Sequence, residues 1–103
     1  PFLSIGAAGF VSVTGHLVGD RLRKLAETFW AGDIAGAIAI NEALQPVSTG
    51  LFRTQGAILT KAALNELGLP AGPMRLPLVD ATVEQVAQLR TDLAAGGVAG
   101  FTA

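Results

Sequence analysis

Cysteine is absent from the 103 residues, which excludes disulfides and thiolate-held metal and suits a reducing, cytoplasmic compartment. Histidine occurs once, at His16. A lone histidine with no cysteine and no neighbouring acid pair matches no metal-ligand spacing. Charge is scarce and balanced: seven basic against eight acidic side chains leave a net −1. Such a chain has no electrostatic footprint for nucleic acid or for an anionic membrane. Long hydrophobic runs are also missing. The uncharged run 34–41 is far short of the roughly 20 residues that span a bilayer. Residues 1–16 carry no charged side chain, yet they lack the basic start of a signal peptide.

What is present is apolar. Half of the residues are hydrophobic and the mean hydropathy is +0.51, high for a small soluble domain. Alanine, a strong helix former, accounts for part of this. The stretch Gly6-Ala7-Ala8-Gly9-Phe10-Val11-Ser12-Val13-Thr14-Gly15-His16 stands apart. Glycines bound it, and Phe10, Val11 and Val13 are aromatic or β-branched, the signature of a short buried strand over 9–13. No other stretch reads as a strand. A lone strand cannot satisfy its own main-chain donors and acceptors, so the chain reads as the last piece of a larger protein.

The rest reads as helix. Pro1 to Ile5 suits a helix end stopped by a left-handed Gly6. A helix is expected from about Val18 to Ala31, with Leu22, Leu25 and Phe29 as its inward stripe and Asp20, Arg21, Arg23, Lys24 and Glu27 outside. Gly32 ends it and Asp33 caps the next. That helix, about Ile34 to Phe52, turns Ile40, Leu44, Val47 and Leu51 to one face, widened by Ile34, Ala37, Ile38 and Asn41. Pro46 should interrupt or kink it. A third helix spans about Ala57 to Leu67, ended by Gly68. Pro70 to Pro77 reads as an extended surface connection. Thr82-Val83-Glu84-Gln85 is a capping box opening the last helix, with Val86, Leu89 and Leu93 inward. Gly96-Gly97 stops it, and the tail to Ala103 is expected to fray.

A strand and a helix followed by helices alone is how a (β/α)8 barrel with a helical extension would finish. Here the residues resemble a family. Gly6-x-x-Gly9-Phe10-Val11-Ser12-Val13 looks like the eighth barrel strand of the dihydrodipicolinate synthases. Ala31-Gly32-Asp33 resembles the turn after their eighth helix, and Ala39-Ile40-Asn41-x-x-Leu44-x-Pro46 their long kinked helix. Thr60-Lys61-Ala62-Ala63-Leu64-x-x-Leu67-Gly68 and Arg75-Leu76-Pro77-Leu78 resemble the tenth helix and its exit. Many members are rich in Pro and Asn between the ninth and tenth helices. Arg53-Thr54-Gln55-Gly56-Ala57-Ile58-Leu59 departs from that and is similar to actinobacterial-type synthases.

The resemblance implies the α/β fold class. Residues 1–31 would be the end of a TIM barrel (tail of the seventh helix, eighth strand, eighth helix), and 32–103 a C-terminal three-helix region. It implies a cytoplasmic homotetramer of tight dimers that needs no cofactor. A strand-6 lysine condenses with pyruvate, and the enamine attacks aspartate-4-semialdehyde to give 4-hydroxy-tetrahydrodipicolinate, on the way to lysine and diaminopimelate. A tyrosine with two partner hydroxyls moves the protons. No tyrosine is present, and Lys24 and Lys61, the two lysines, fall in expected helices. Lys61 belongs to the tenth-helix motif and reads as a partly solvated helix residue. By resemblance the substrate contact in this chain is Val11, through its main-chain carbonyl near the Schiff-base nitrogen, with Ser12 and Val13 completing the strand. No catalytic side chain is expected here, so the segment alone should be inactive.

Other candidates read as structure. His16, just past the strand, suits a loop or helix-start contact. Gly6-x-x-Gly9 precedes a strand rather than opening a helix, so it is no dinucleotide fingerprint. Asp20 with Glu27, and Glu84 with Asp92, read as helix-surface charges. Phe29 and Trp30 read as core. Two alternatives stay open: a related pyruvate-dependent aldolase of the N-acetylneuraminate or 2-keto-3-deoxygluconate type, and a free-standing helical interaction module. A module would be a soluble, cooperatively folding monomer. A barrel piece would be oligomeric or molten in isolation.

Overall fold

The computed structural model describes residues 1–102. A 3-10 turn, Leu3–Ile5, precedes four helices: α1 (Gly15–Trp30), α2 (Ile34–Leu51), α3 (Gly56–Glu66) and α4 (Val83–Ala95). Gly6 stops the first turn in the left-handed region, at φ 96°. No strand occurs among the described residues. The expected strand over 9–13 is not formed in the free chain. Residues 8–11 make no main-chain hydrogen bond among the described residues. Val11 is fully exposed, with Phe10 and Val13 about half so. A strand is defined by its neighbour, and no second run here offers a ladder.

Local chemistry explains the helix ends. α1 begins three residues before the expected Val18, but Val18 itself leaves helical geometry (φ −132°, ψ 31°), so the regular helix starts just after it. Gly32 turns the chain at φ +86°, and the Asp33 carboxylate accepts the Gly36 amide at 2.8 Å. Thr82 and Gln85 form the full capping box. The Gln55 side chain caps α3 by accepting the Ala57 amide. Pro46 does not break α2, which runs unbroken through it. The carbonyl its ring deprives of a donor belongs to Glu42, an exposed residue, where water can serve it.

The core centres on α2, α3 and α4. Val47, Leu51, Leu59, Leu89 and Leu93 are at most 1% exposed, and Val18 from α1, Leu44, Ala63 and Val98 complete the cluster. Burying five such side chains is worth about 1.5–3 kcal/mol each. Glycine permits the closest approaches: a Cβ on Gly50 would lie 2.6 Å from the Asp92 Cβ, and one on Gly96 2.4 Å from Val47 Cγ2. The tail does not fray as expected. Val98 is buried and Phe101 packs on the core, while Ala103 lies outside the described residues.

The connection 67–82 has no regular structure but is pinned to α3. Lys61 Nζ donates to the Pro73 carbonyl at 2.6 Å, and Asn65 Nδ2 to that of Gly72 at 3.1 Å. α1 attaches less deeply. Its stripe Leu22, Leu25 and Phe29 is only half-buried. Arg21 ties it down, donating to the Gly96 carbonyl at 2.5 Å and to that of Ala43 at 3.3 Å. A guanidinium at the C-terminal end of α4 also complements the helix dipole.

Candidate functional site

The site begins where the unpaired run 8–11 enters α1. Val11, Ser12 and Val13 lie together there, and the Val11 main-chain carbonyl accepts no main-chain hydrogen bond among the described residues. Order sets in directly afterwards. Gly15 N donates to Ser12 O at 3.2 Å, His16 N to Val13 O at 3.3 Å, and Leu17 N and Val18 N to Thr14 O at 3.0 Å. The hydroxyls of Ser12 and Thr14 are 2.6 Å apart. Thr14 is buried and Ser12 half-buried. His16 sits exposed in the first turn of α1, a helix-start residue as expected.

Behind this entry lies an apolar trough of about 390 Å³, lined by Phe2, Leu3, Phe10, Leu22 and Leu25 with Asn41 at its edge. It continues between the chain start and α2, over Phe29, Ile34 and Ile38. Ile34 and Ile38 are about half exposed, and Trp30 is 56% exposed. Trp30 is thus no core residue: it falls off the inward stripe at the last residue of α1. The trough holds no ionisable side chain, so it can bind apolar groups but not run acid–base chemistry.

The two lysines are elsewhere. Lys24 is on the exposed face of α1, and the Lys61 amine is spent on the Pro73 carbonyl. Among the described residues no group of three or more His, Cys, Asp or Glu could hold a metal, and no helix is long and apolar enough to cross a membrane.

Asp92 corrects the surface-charge reading. It is 8% exposed and accepts a fork from Arg53, Nε at 2.5 Å and Nη2 at 2.9 Å, with Gln88 Nε2 at 3.1 Å. The Arg53 hydrogen bond holds the carboxyl below its usual range against the opposing effect of burial, and Gln88 adds to it. Arg53 rises in turn. This fork joins the α2–α3 turn to α4. The place of Asp92 on the inward face, beside Leu93 and three residues after Leu89, was legible, but its partner Arg53, 39 residues away, was not. Glu84 does sit on the surface. Its carboxyl is held low by its own amide and the Thr82 hydroxyl at the start of α4.

Solved structures define the class. The chain superposes with a TM-score of 0.89 and 39% identity on the dihydrodipicolinate synthase of Cyanidioschyzon merolae solved with lysine bound, covering 94% of this chain and 33% of that one. On the Thermotoga maritima synthase the values are 0.85 and 30%, over 92% and 32%. This segment, helical among its described residues, thus has the fold of the closing unit of an α/β barrel with its helical extension.

The sequence model of the dihydrodipicolinate synthetase family matches residues 1–96, and the chain belongs to that family. Among curated relatives, it is 54% identical over 98 residues to 4-hydroxy-tetrahydrodipicolinate synthase 2 of Streptomyces coelicolor, covering 95% of this chain. It is also 54% identical over 101 residues to the synthase of Acidothermus cellulolyticus, covering 98%. The chain spans about a third of the length of both.

Proposed function

We propose that the chain forms the C-terminal third of a 4-hydroxy-tetrahydrodipicolinate synthase, a Schiff-base lyase that condenses pyruvate with aspartate-4-semialdehyde for lysine and diaminopimelate synthesis. The 54% identity over 98 residues to an enzyme named for that product carries the reading. In it, residues 1–31 close the barrel and 32–103 pack outside as the three-helix region. Residues 9–13 become the eighth strand once neighbouring strands supply their ladder. The trough over Leu22 and Leu25 receives the apolar faces of the preceding barrel elements. The assembled enzyme is a cytoplasmic homo-oligomer.

The chemistry sets what this segment supplies. A lysine attacks a ketone only as the free amine, so the reacting lysine needs burial or a cationic neighbour. Exposed Lys24 and the tethered Lys61 have neither role. The segment offers the Val11 carbonyl within the strand 9–13, which runs to the C-terminal face of the barrel, where barrels place their sites. A carbonyl oxygen there accepts the N–H of a protonated imine, favouring that charged form by a charge-assisted hydrogen bond. Because the contact is main-chain, the Val11 side chain serves packing.

The test is a chimera in which this chain replaces the matching third of the Streptomyces coelicolor synthase. With pyruvate and borohydride, the intact mass should show one reduced pyruvate adduct per chain. The 103 residues alone should show none. A folded chimera that takes up no pyruvate would overturn the reading.

A further inference from the structure

We infer that Ser12 and Thr14 are positioning residues for the oxo-acid site, their paired hydroxyls fixing the direction of the Val11 carbonyl; this rests on the synthase reading above. Thr14 occupies the N-cap position of α1, where a threonine hydroxyl normally accepts an amide of the first turn. Here it caps nothing. The main-chain carbonyls of Ser12, Val13 and Thr14 serve the first-turn amides instead. The Thr14 hydroxyl is bonded only to Ser12 Oγ, at 2.6 Å. The helix start does not need this pair, yet a buried hydroxyl left without a partner would be costly.

What the pair holds is the chain between residues 12 and 14. The Val11 carbonyl shares its peptide plane with the Ser12 nitrogen, so anchoring the Ser12 side chain to a buried neighbour fixes that nitrogen and leaves the plane only rotation about the Ser12 N–Cα bond. Among the described residues nothing upstream does so in the free chain, since residues 8–11 are unbonded; in the barrel the ladder would hold the strand from its upstream side and the pair its exit. The hydroxyl pair is thus the fixed point on the exit side of the carbonyl. Either hydroxyl can donate across the pair; when the buried Thr14, 6% exposed, donates to Ser12, the Ser12 hydrogen is free on the half-exposed side. A hydroxyl that already accepts a hydrogen bond is the stronger donor. The Ser12 O–H can serve a water or carboxylate oxygen of a 2-oxo acid beside the Val11 carbonyl.

The chimera described above carries the test, in versions Ser12→Ala, Thr14→Val and Thr14→Ser. If the carbonyl loses its orientation, imine formation suffers before condensation does. Ser12→Ala and Thr14→Val should each raise KM for pyruvate about tenfold, the order expected for one hydrogen bond to an oriented group. kcat should stay within about threefold, because pyruvate saturation restores the imine. Borohydride trapping at subsaturating pyruvate should fall in parallel. Thr14→Ser keeps the hydroxyl and should restore the low KM. A merely structural role predicts the opposite split, a lower melting temperature with KM unchanged, and that result overturns the inference. Thr14→Val places a methyl in a buried site and can fail to fold, whereas Ser12→Ala removes one half-exposed atom and keeps the question open to measurement. If the unsubstituted chimera traps pyruvate and both hydroxyl variants match it in KM, the inference falls alone. If the unsubstituted chimera traps none, the synthase reading falls and takes the inference with it.

Discussion

Substituting Asp92→Asn tests whether the fork between the α2–α3 turn and α4 holds the helical extension together. The carboxylate accepts Arg53 Nε and Nη2 at 2.5 and 2.9 Å and Gln88 at 3.1 Å. Hydrogen bonds to a charged group each contribute about 1.5–3 kcal/mol. The Arg53 side chain is 46% exposed, so solvent screens the pair and the freed guanidinium rehydrates. Asparagine keeps the size, one acceptor oxygen and the bond to Gln88. The net loss is about 1–2 kcal/mol. With a urea slope of about 1–3 kcal/mol per molar, the unfolding midpoint of the chimera carrying the substitution, followed by far-UV circular dichroism, should fall by up to about 1 M. Acid supplies a second check. Arg53, opposed by burial and aided by Gln88, lowers the folded-state value of Asp92 below its ordinary 3.8. A carboxyl with a depressed folded value contributes stability that is complete above the unfolded value and lost as pH falls through the folded one. The gap between the chimera and its Asp92→Asn variant should hold from neutral pH down to about 4 and close below that. A gap of equal size at pH 7 and pH 2.5, or no gap at all, would refute the reasoning.

Three further outcomes follow from the same contacts. Gly50→Ala puts a methyl 2.6 Å from the Asp92 Cβ and should lower stability by about 1–3 kcal/mol, read as a lower melting temperature. Leu93→Ala opens a cavity at a fully buried position and should cost about 2–5 kcal/mol, more than the loss of the fork, in the same urea titration. Lys61→Met removes only the tether to Pro73. In the chimera it should leave the borohydride-trapped pyruvate adduct at the unsubstituted level, and loss of the adduct would return Lys61 to the chemistry.

The helices were legible because their signals are local. Asp33, Thr82 with Gln85, and the glycines at 32, 68 and 96–97 each carry a stop or cap in their own chemistry. The stripes Leu44, Val47, Leu51 and Leu89, Leu93 state the period of the buried face. What escaped is non-local. Burial of Asp92 depends on Arg53, 39 residues away, and on Gly50 leaving room beside it. Exposure of Trp30 and half-burial of Leu22 and Leu25 depend on which neighbours exist, since an amphipathic stripe says that a face wants cover and not that cover is present. The candidate site was legible in one respect only. The glycine-bounded run to Val13 marked the place, but the pairing of Ser12 with Thr14 is a matter of hydroxyl geometry that no spacing rule encodes. The tail was misjudged because Gly96-Gly97 stops a helix without stopping burial: Val98 and Phe101 fold back onto the core.

The account turns on residues 9–13 being a barrel strand that lacks its partners. Amide hydrogen exchange, read by mass spectrometry on the free chain and on the chimera with the Streptomyces coelicolor synthase, tests this directly. The account predicts fast exchange over 9–13 in the free chain, where α2 and α4 are protected by the core. It predicts strong protection of the same residues in the chimera, where strands lie on either side. Fast exchange over 9–13 in a folded chimera, with its helices protected, would contradict it.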